Sequence, residues 1–131
     1  MQVFCLGDTH IPERASNLPD WVMQLLVKTS PDRILFTGDV TDPSVLYLLE
    51  KVAPVYAVRG NMDRIDLPKE ISLDLDGLRV LLIHGNQFGR GKYKELVRYA
   101  AEKDHNFVVC GHTHVPETFK EEGVVVVNPG S

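Results

Sequence analysis

The sequence lacks the features that mark several large classes of protein. None of its apolar runs approaches the roughly 20 residues that a membrane-spanning helix needs. Its 14 lysines and arginines do not cluster, and together with a net charge of -4 they argue against a nucleic-acid surface. It has two cysteines, Cys5 and Cys110, and their separation argues against a disulfide scaffold or a thiolate zinc site. These shortages leave a globular protein whose chemistry must come from other residues.

Length and composition are those of one globular domain. The chain has 131 residues, and we place a single domain at residues 1–131. A domain of this size buries roughly two-thirds of the surface of its unfolded chain, so it needs no disulfides to be stable. No basic leader precedes the first predicted strand, which makes the cytoplasm the expected compartment.

The first half of the chain alternates between predicted strands and predicted helices. Short apolar runs at Val3–Leu6, Ile34–Phe36 and Val55–Val58 predict strands. Apolar residues at helical spacing lie between them, in two stripes: Leu18, Trp21, Val22, Leu25 and Leu26, then Val45, Leu46, Leu48, Leu49 and Val52. Because strands and helices alternate, we expect a parallel sheet with right-handed crossovers.

The second half is richer in predicted strands. Ile71–Leu75 alternates apolar and polar residues, and Asp76-Gly77 is a strong signal for a hairpin turn. The remaining elements are strands at Val80–Ile83, Phe107–Val109 and Val124–Val127, a helical stripe from Tyr93 to Ala101, and a turn at Glu122-Gly123. Together the halves predict an α/β fold of two sheets packed face to face, with helices outside.

Short polar blocks follow five of the apolar runs, at the points where strands are predicted to end. They are Asp8-Thr9-His10, Gly38-Asp39, Gly60-Asn61, His84-Gly85 and Gly111-His112-Thr113-His114. Ligands of open α/β sheets bind at the carboxyl ends of the strands, and glycine lets the backbone turn sharply and approach a bound ion there. The Asp-x-His and His-x-His spacings place both side chains of each pair on one side of an extended segment.

The residue types in these blocks indicate a metal centre. Carboxylate, imidazole and amide oxygen suit Mn²⁺, Fe or Zn²⁺, whereas the absence of thiolate argues against a structural zinc site. A shared carboxylate can hold two ions about 3.5–4 Å apart, which is the arrangement of two-metal hydrolysis. The blocks therefore predict metal-assisted hydrolysis, with a phosphate ester as the favoured substrate.

The ordered series of blocks resembles a known family. Asp-x-His, Gly-Asp-x-x-Asp, Gly-Asn-x-Asp, His-Gly and Gly-His-x-His occur in the order of the calcineurin-like metallophosphoesterase superfamily. The compact length and the closing Asn128-Pro129-Gly130-Ser131 resemble its small phosphodiesterase branch, which shares its fold with the retromer scaffold subunit. The resemblance runs from Asp8 to Ser131 and implies a four-layer α/β/β/α sandwich of two mixed sheets, without the last strands of the family.

The resemblance implies a role for each polar ligand. Asp8, His10 and His114 would hold the first metal, Asn61, His84 and His112 would hold the second, and Asp39 would bridge the two. Mn²⁺ is the expected ion, with Ni²⁺, Fe and Zn²⁺ as alternatives. The implied reaction is in-line attack of a metal-bound hydroxide on phosphorus, with Asp39, Asn61 and His84 as catalytic residues and a diester preferred to a monoester. The implied partner is a small phosphate ester.

Three positions depart from the family pattern. Met62 stands where many members carry a histidine that assists the leaving group, so we expect weaker catalysis biased toward good leaving groups. Asn86 stands where many members of the branch carry a second histidine. The chain stops at Ser131, where relatives continue with further strands, which predicts an exposed sheet edge and a homo-oligomer that covers it.

Several polar residues have a structural alternative beside the functional one. Asp42 supports the metals or caps a helix that starts at Pro43, and Asp63 orients a ligand or belongs to a turn. Arg14 and Arg59 contact a phosphate or are solvated, and Arg90 lies at the pocket rim or in a flexible entry to the third helix. His105 is expected to be solvated at a helix end. At the level of the whole protein, the alternative to a phosphoesterase is a non-catalytic protein-interaction scaffold on the same fold that retains a metal site.

Overall fold

The computed structural model describes residues 2–7, 20–38, 43–60, 67–85, 93–111 and 117–129. In chain order, the elements in these ranges are β1 (Val3–Leu6), α1 (Asp20–Thr29), β2 (Arg33–Phe36), α2 (Pro43–Glu50), β3 (Val55–Ala57), β4 (Glu70–Leu75), β5 (Leu78–Ile83), α3 (Tyr93–Glu102), β6 (Phe107–Val109), β7 (Glu117–Glu121) and β8 (Val124–Asn128). Each predicted strand and helix is present, and β7 is an additional strand. Within the described ranges, no helix combines the length and the apolar character required to span a bilayer.

The first sheet has the order β1-β2-β3, and its described strands are all parallel. Strands β1 and β2 end level with each other, because Leu6 pairs with Phe36. Ile34 and Phe36 of β2 face α1 and α2, where they form a buried cluster with Leu26 of α1 and Leu49 of α2. The resemblance implies two mixed sheets. This sheet differs from that expectation, because all pairs among its described strands are parallel.

The second sheet has the order β4-β5-β6-β8-β7 and is mixed. Its three central strands, β5, β6 and β8, are parallel, whereas β4 and β7 pair with it in the antiparallel sense. Two-residue turns with positive φ at both positions join β4 to β5 at Asp76-Gly77 and β7 to β8 at Glu122-Gly123. Such turns match the twist of antiparallel strands, so both predicted turns are confirmed.

The two sheets pack face to face, with helices on the outer surfaces. Leu35 of β2 and Val58 share a buried cluster with Val80, Leu82 and Val109 of the second sheet. Helix α3 covers the opposite face of the second sheet in a separate cluster. Because successive strand residues point to opposite faces, β2 can serve both the helix layer and the inter-sheet layer. The result is the four-layer α/β/β/α sandwich.

An apolar groove of about 270 Å³ opens between the sheets beside β1. Val3 and Cys5 line it from β1, and Leu78, Val80 and Phe107 line it from the second sheet. Burial raises the pKa of the Cys5 thiol to about 11, so this thiol is protonated at neutral pH. Neither cysteine is in a disulfide, as the sequence predicts.

His105 is buried, so the expectation that it is solvated is wrong. It follows α3 at a turn in which Asp104 adopts a left-handed conformation, with a φ of 63°. The His105 N–H donates to the Ala100 carbonyl, and the Asp104 N–H donates to the Ala101 carbonyl. This pair of bonds is a Schellman motif, which ends the helix and leads the chain into β6. There the His105 ring hydrogen-bonds to the Ser72 hydroxyl at 2.8 Å.

Candidate metal centre

The described residues include His84 and the strand ends that adjoin the other expected ligands. Asp8, His10, Asp39, Asn61, His112 and His114 lie outside the described residues, as do Arg14, Asp42, Met62, Asp63, Asn86 and Arg90. Within the described ranges taken alone, no group of three or more His, Cys, Asp or Glu side chains could hold a metal. Among the described residues, the candidate site is therefore assessed from His84 and from the geometry of the strand ends.

Five strands are each followed, within about three residues, by a buried glycine. The glycines are Gly7 after β1, Gly38 after β2, Gly60 after β3, Gly85 after β5 and Gly111 after β6. In the sequence, four of them directly precede an expected ligand, and Gly85 directly follows one. Because these strands are parallel to their neighbours within each sheet, their carboxyl ends lie at one edge of that sheet.

Close contacts join the strand ends of the first sheet to each other and to the second sheet. A Cβ built on Gly7 would lie 1.7 Å from the Thr37 Oγ1. A Cβ built on Gly38 would lie 2.7 Å from the His84 Nδ1 and 2.9 Å from the Gly60 nitrogen. Gly38 also has a φ of 113°, a conformation that favours glycine. The absence of side chains at these positions lets the two sheet edges meet.

His84 is the one described side chain among the expected ligands, and its ring orientation suits a ligand. It has no exposed surface, and its Nδ1 donates to the Thr37 carbonyl at 2.8 Å. A carbonyl oxygen only accepts hydrogen bonds, so the ring proton is at Nδ1 and the neutral imidazole has its lone pair at Nε2. Metal-binding histidines are held by this kind of outer contact, which fixes the tautomer and the ring direction.

Hydrogen bonds at Gly111 connect the end of β6 to its surroundings. The Gly111 N–H donates to the His84 carbonyl at 3.0 Å, so the ends of β5 and β6 are joined. The buried Asn128 side chain, at the end of β8, donates to the Gly111 carbonyl at 3.1 Å and to the Tyr93 hydroxyl at 3.2 Å. Asn128 therefore holds the residue that directly precedes His112 in the sequence. Sequence reasoning used Asn128 only as part of a closing block and missed this contact.

Thr37 is a second residue that sequence reasoning missed. It has no exposed surface, and its Oγ1 has no hydrogen-bond partner within the described part of the chain. An unsatisfied buried hydroxyl costs about 1–3 kcal/mol, so such a group calls for an explanation. In the sequence the only signal is its position, as a polar residue between the apolar β2 strand and Gly38-Asp39.

Arg59 lies just before Gly60 and is exposed. Its backbone N–H donates to the Pro68 carbonyl, which ties the end of β3 to the segment before β4. This contact involves the backbone alone, so a role of the Arg59 side chain toward a phosphate stays a prediction.

The residues that the structure describes fit a metal centre on three observations. His84 is in a ligand tautomer, a Cβ on Gly7 or Gly38 would collide with its neighbours, and the buried Thr37 hydroxyl among these strand ends has no partner within the described part of the chain. Fold and strand-end geometry thus define a class: an α/β sandwich protein in which the carboxyl edges of two facing sheets meet.

Within that class, the chain belongs to the calcineurin-like phosphoesterase superfamily, because the domain model of this family matches residues 1–131. A probable metallophosphoesterase of Methanothermobacter thermautotrophicus is 39% identical over 134 residues, which cover 100% of this chain and 77% of that protein. The sequence resemblance is therefore confirmed at the level of the superfamily.

Solved structures show the same architecture. Vacuolar Protein Sorting 29 (Vps29) of Cryptosporidium parvum superposes with a TM-score of 0.90 at 28% identity, covering 98% of this chain and 73% of that one. Wild-type Vps29 of Entamoeba histolytica, solved in complex with Zn²⁺, superposes with a TM-score of 0.91 at 28% identity, covering 100% and 74%. The four-layer sandwich is thus shared with Vps29, and one such neighbour binds a divalent ion.

Proposed function

We propose that the chain is a phosphoesterase that uses two divalent metal ions and prefers a phosphodiester. The observation that carries this proposal is the buried His84, held through Nδ1 at the point where the ends of five strands meet. Asp8, His10 and His114 would hold one ion, Asn61, His84 and His112 the other, and Asp39 both. Superfamily membership supports divalent ions in general, and Mn²⁺ is our proposed ion.

Divalent ions bound at this place would neutralise charge on a phosphoryl group and supply an activated water. The chain contributes the arrangement of ligands. The Thr37 carbonyl keeps the His84 ring in one orientation, and the Gly111 N–H holds the His84 backbone. Gly38 keeps the two sheet edges in contact, so that ligands from both sheets can reach a common centre. Rigid outer contacts of this kind keep a site close to its productive geometry.

Met62 sets a limit on the substrate. A thioether cannot donate a proton, so a leaving group that needs protonation receives no help from this position. We therefore propose that the enzyme acts best on phosphodiesters whose leaving group is already stable as an anion, such as an aryl oxide. Expelling an alkoxide needs general-acid assistance, which typically contributes a factor of about 10²–10⁴.

The proposal is tested with an aryl phosphodiester and the matching monoester, assayed with Mn²⁺, Ni²⁺, Fe²⁺ and Zn²⁺ in turn. We expect faster hydrolysis of the diester and loss of activity in Asp39→Asn. Removing an outer support of a metal ligand costs about 10–100-fold, so removing a shared ligand should cost more than about 100-fold. Metal content by elemental analysis should fall in the same variant. An Asp39→Asn protein with full metal content and full activity would show that the bridging assignment is wrong.

The second candidate function is a protein-interaction scaffold with a retained metal site. The likeness to Vps29 and the methionine at position 62 favour it. His10 and His84 argue against it, because a retired catalytic site is free to lose its ligands. Metal-loaded wild-type protein that turns over no aryl phosphodiester would favour the scaffold.

Three broader expectations remain proposals. They are that residues 1–131 form one domain, that the protein acts in the cytoplasm, and that a homo-oligomer covers an exposed sheet edge. In support of the last one, β1 carries no charged residue and pairs only with β2 among the described strands. Uncharged edge strands are open to pairing with another chain.

A further inference from the structure

The hydroxyl of Thr37 is a polar atom buried at the junction of the strand ends. The Thr37 carbonyl already has a defined task, since it accepts the hydrogen bond from the His84 Nδ1 at 2.8 Å. The Oγ1 belongs to the same residue, has no exposed surface and has no partner in the described part of the chain. A buried hydroxyl that lacks a protein partner calls for an explanation, and a bound ion or water is one of them.

The glycine at position 7 leaves the space that this hydroxyl occupies. A Cβ on Gly7 would lie 1.7 Å from the Oγ1 and 2.9 Å from the Thr37 Cβ. The hydroxyl therefore occupies the volume that a side chain at position 7 would need. Valine has nearly the same shape as threonine and would fill this volume without burying an unsatisfied donor. The hydroxyl itself is thus the feature that needs a reason.

The position of Thr37 supplies the reason. Gly7 directly precedes Asp8, Gly38 directly precedes Asp39, and both aspartates are proposed metal ligands. Carboxylate ligands are normally oriented by hydrogen bonds from outside the metal shell. A hydroxyl between the ends of β1 and β2 can donate such a hydrogen bond to a ligand that follows either strand.

We propose that Thr37 is a positioning residue of the metal centre, whose hydroxyl donates a hydrogen bond to an oxygen ligand of the centre when the metal is bound. The inference rests on the metal ions of the proposed function, but it does not depend on hydrolysis. One residue thus supports the centre twice, through its carbonyl toward His84 and through its hydroxyl toward an oxygen ligand.

The test is Thr37→Val, which removes the hydroxyl and keeps both the shape and the backbone carbonyl. Divalent-metal affinity is measured by calorimetric titration of the chelator-treated protein with Mn²⁺, and stability is measured by thermal unfolding without metal. We expect affinity to fall about 10–100-fold, the usual effect of losing an outer support. Without metal we expect the variant to be at least as stable as wild type, because it no longer buries an unsatisfied donor.

Two further variants separate the hydroxyl from other effects. Thr37→Ser keeps the hydroxyl and should bind Mn²⁺ within a few-fold of wild type, which also guards against a packing defect in the valine variant. Thr118→Val makes the same substitution at an exposed position of β7 and should change neither quantity.

Two outcomes would overturn the proposal. If Thr37→Val binds Mn²⁺ as tightly as wild type, the hydroxyl does not serve the metal. If the variant loses the same stability with and without metal, the hydroxyl has a structural partner instead. A wild-type protein that binds Mn²⁺ but hydrolyses no phosphoester contradicts only the proposed function, so the two failures are distinguishable.

Discussion

At the scale of single residues, the close approach of the strand ends at the candidate site depends on glycines, which have no side chain. Gly38 is the clearest case, because its missing Cβ leaves room for the His84 ring and for the backbone of Gly60. Gly77 has a similarly positive φ, 87° against 113°, but a Cβ there would meet nothing within 4 Å. A comparison of the two glycines therefore separates the cost of backbone strain from the cost of a steric clash at the candidate site.

Replacing each glycine with alanine turns this difference into a prediction. Gly77→Ala should cost about 1–2 kcal/mol of unfolding free energy, the usual penalty for a left-handed residue. Gly38→Ala should cost about 2–5 kcal/mol, because overpacking against a buried ring and backbone is added to that strain. Gly38→Ala should also weaken metal binding, whereas Gly77→Ala should not. Urea unfolding measures the loss of stability, and Mn²⁺ titration measures the loss of metal affinity. Equal losses in the two variants would contradict a role for the contact of Gly38 with His84 and Gly60.

At the scale of elements, the sequence predicted each element that has an apolar pattern. β7 was missed because Glu117–Glu121 contains three charged residues and a single large apolar one, as an edge strand can. The burial of His105 was missed because it depends on the left-handed conformation of Asp104, which composition does not reveal. The ligand tautomer of His84 depends on the carbonyl of Thr37, 47 positions away, so no local pattern could predict it.

The end of β8 supports the end of β6 through Asn128, and this link can be tested. Asn128→Leu leaves the Gly111 carbonyl and the Tyr93 hydroxyl without their donor. We expect a loss of about 1–3 kcal/mol in unfolding free energy and weaker Mn²⁺ binding, because the following residues include His112 and His114. Tyr93→Phe is the control, since it removes one acceptor and keeps the bond to Gly111. Unchanged metal affinity in Asn128→Leu would limit Asn128 to a structural role.

At the scale of the whole molecule, the candidate site lies where two sheets meet. The polar blocks predicted that ligands gather at strand ends, because parallel neighbours share an edge. The approach of the two sheet edges is a tertiary property. It is seen in the close approach of Gly38, in the first sheet, to His84, in the second. The ends of β1, β2 and β3 come from the first sheet, and those of β5 and β6 come from the second. A metal held from both sides would therefore join the two halves of the sandwich.

This placement predicts that metal removal lowers the stability of the whole fold. A ligand present at 100 times its dissociation constant stabilises the native state by about 2.7 kcal/mol, so chelation should lower the Tm by roughly 10 °C. The shift should be smaller in Asp39→Asn, which lacks the proposed shared ligand. Hydrogen exchange should slow on metal binding at the carboxyl ends of strands in both sheets, including β2 and β5, because ions held from both sides restrain both edges. Protection confined to one sheet would mean that the metals do not bridge the sheets, and the assignment of ligands from both would then be wrong.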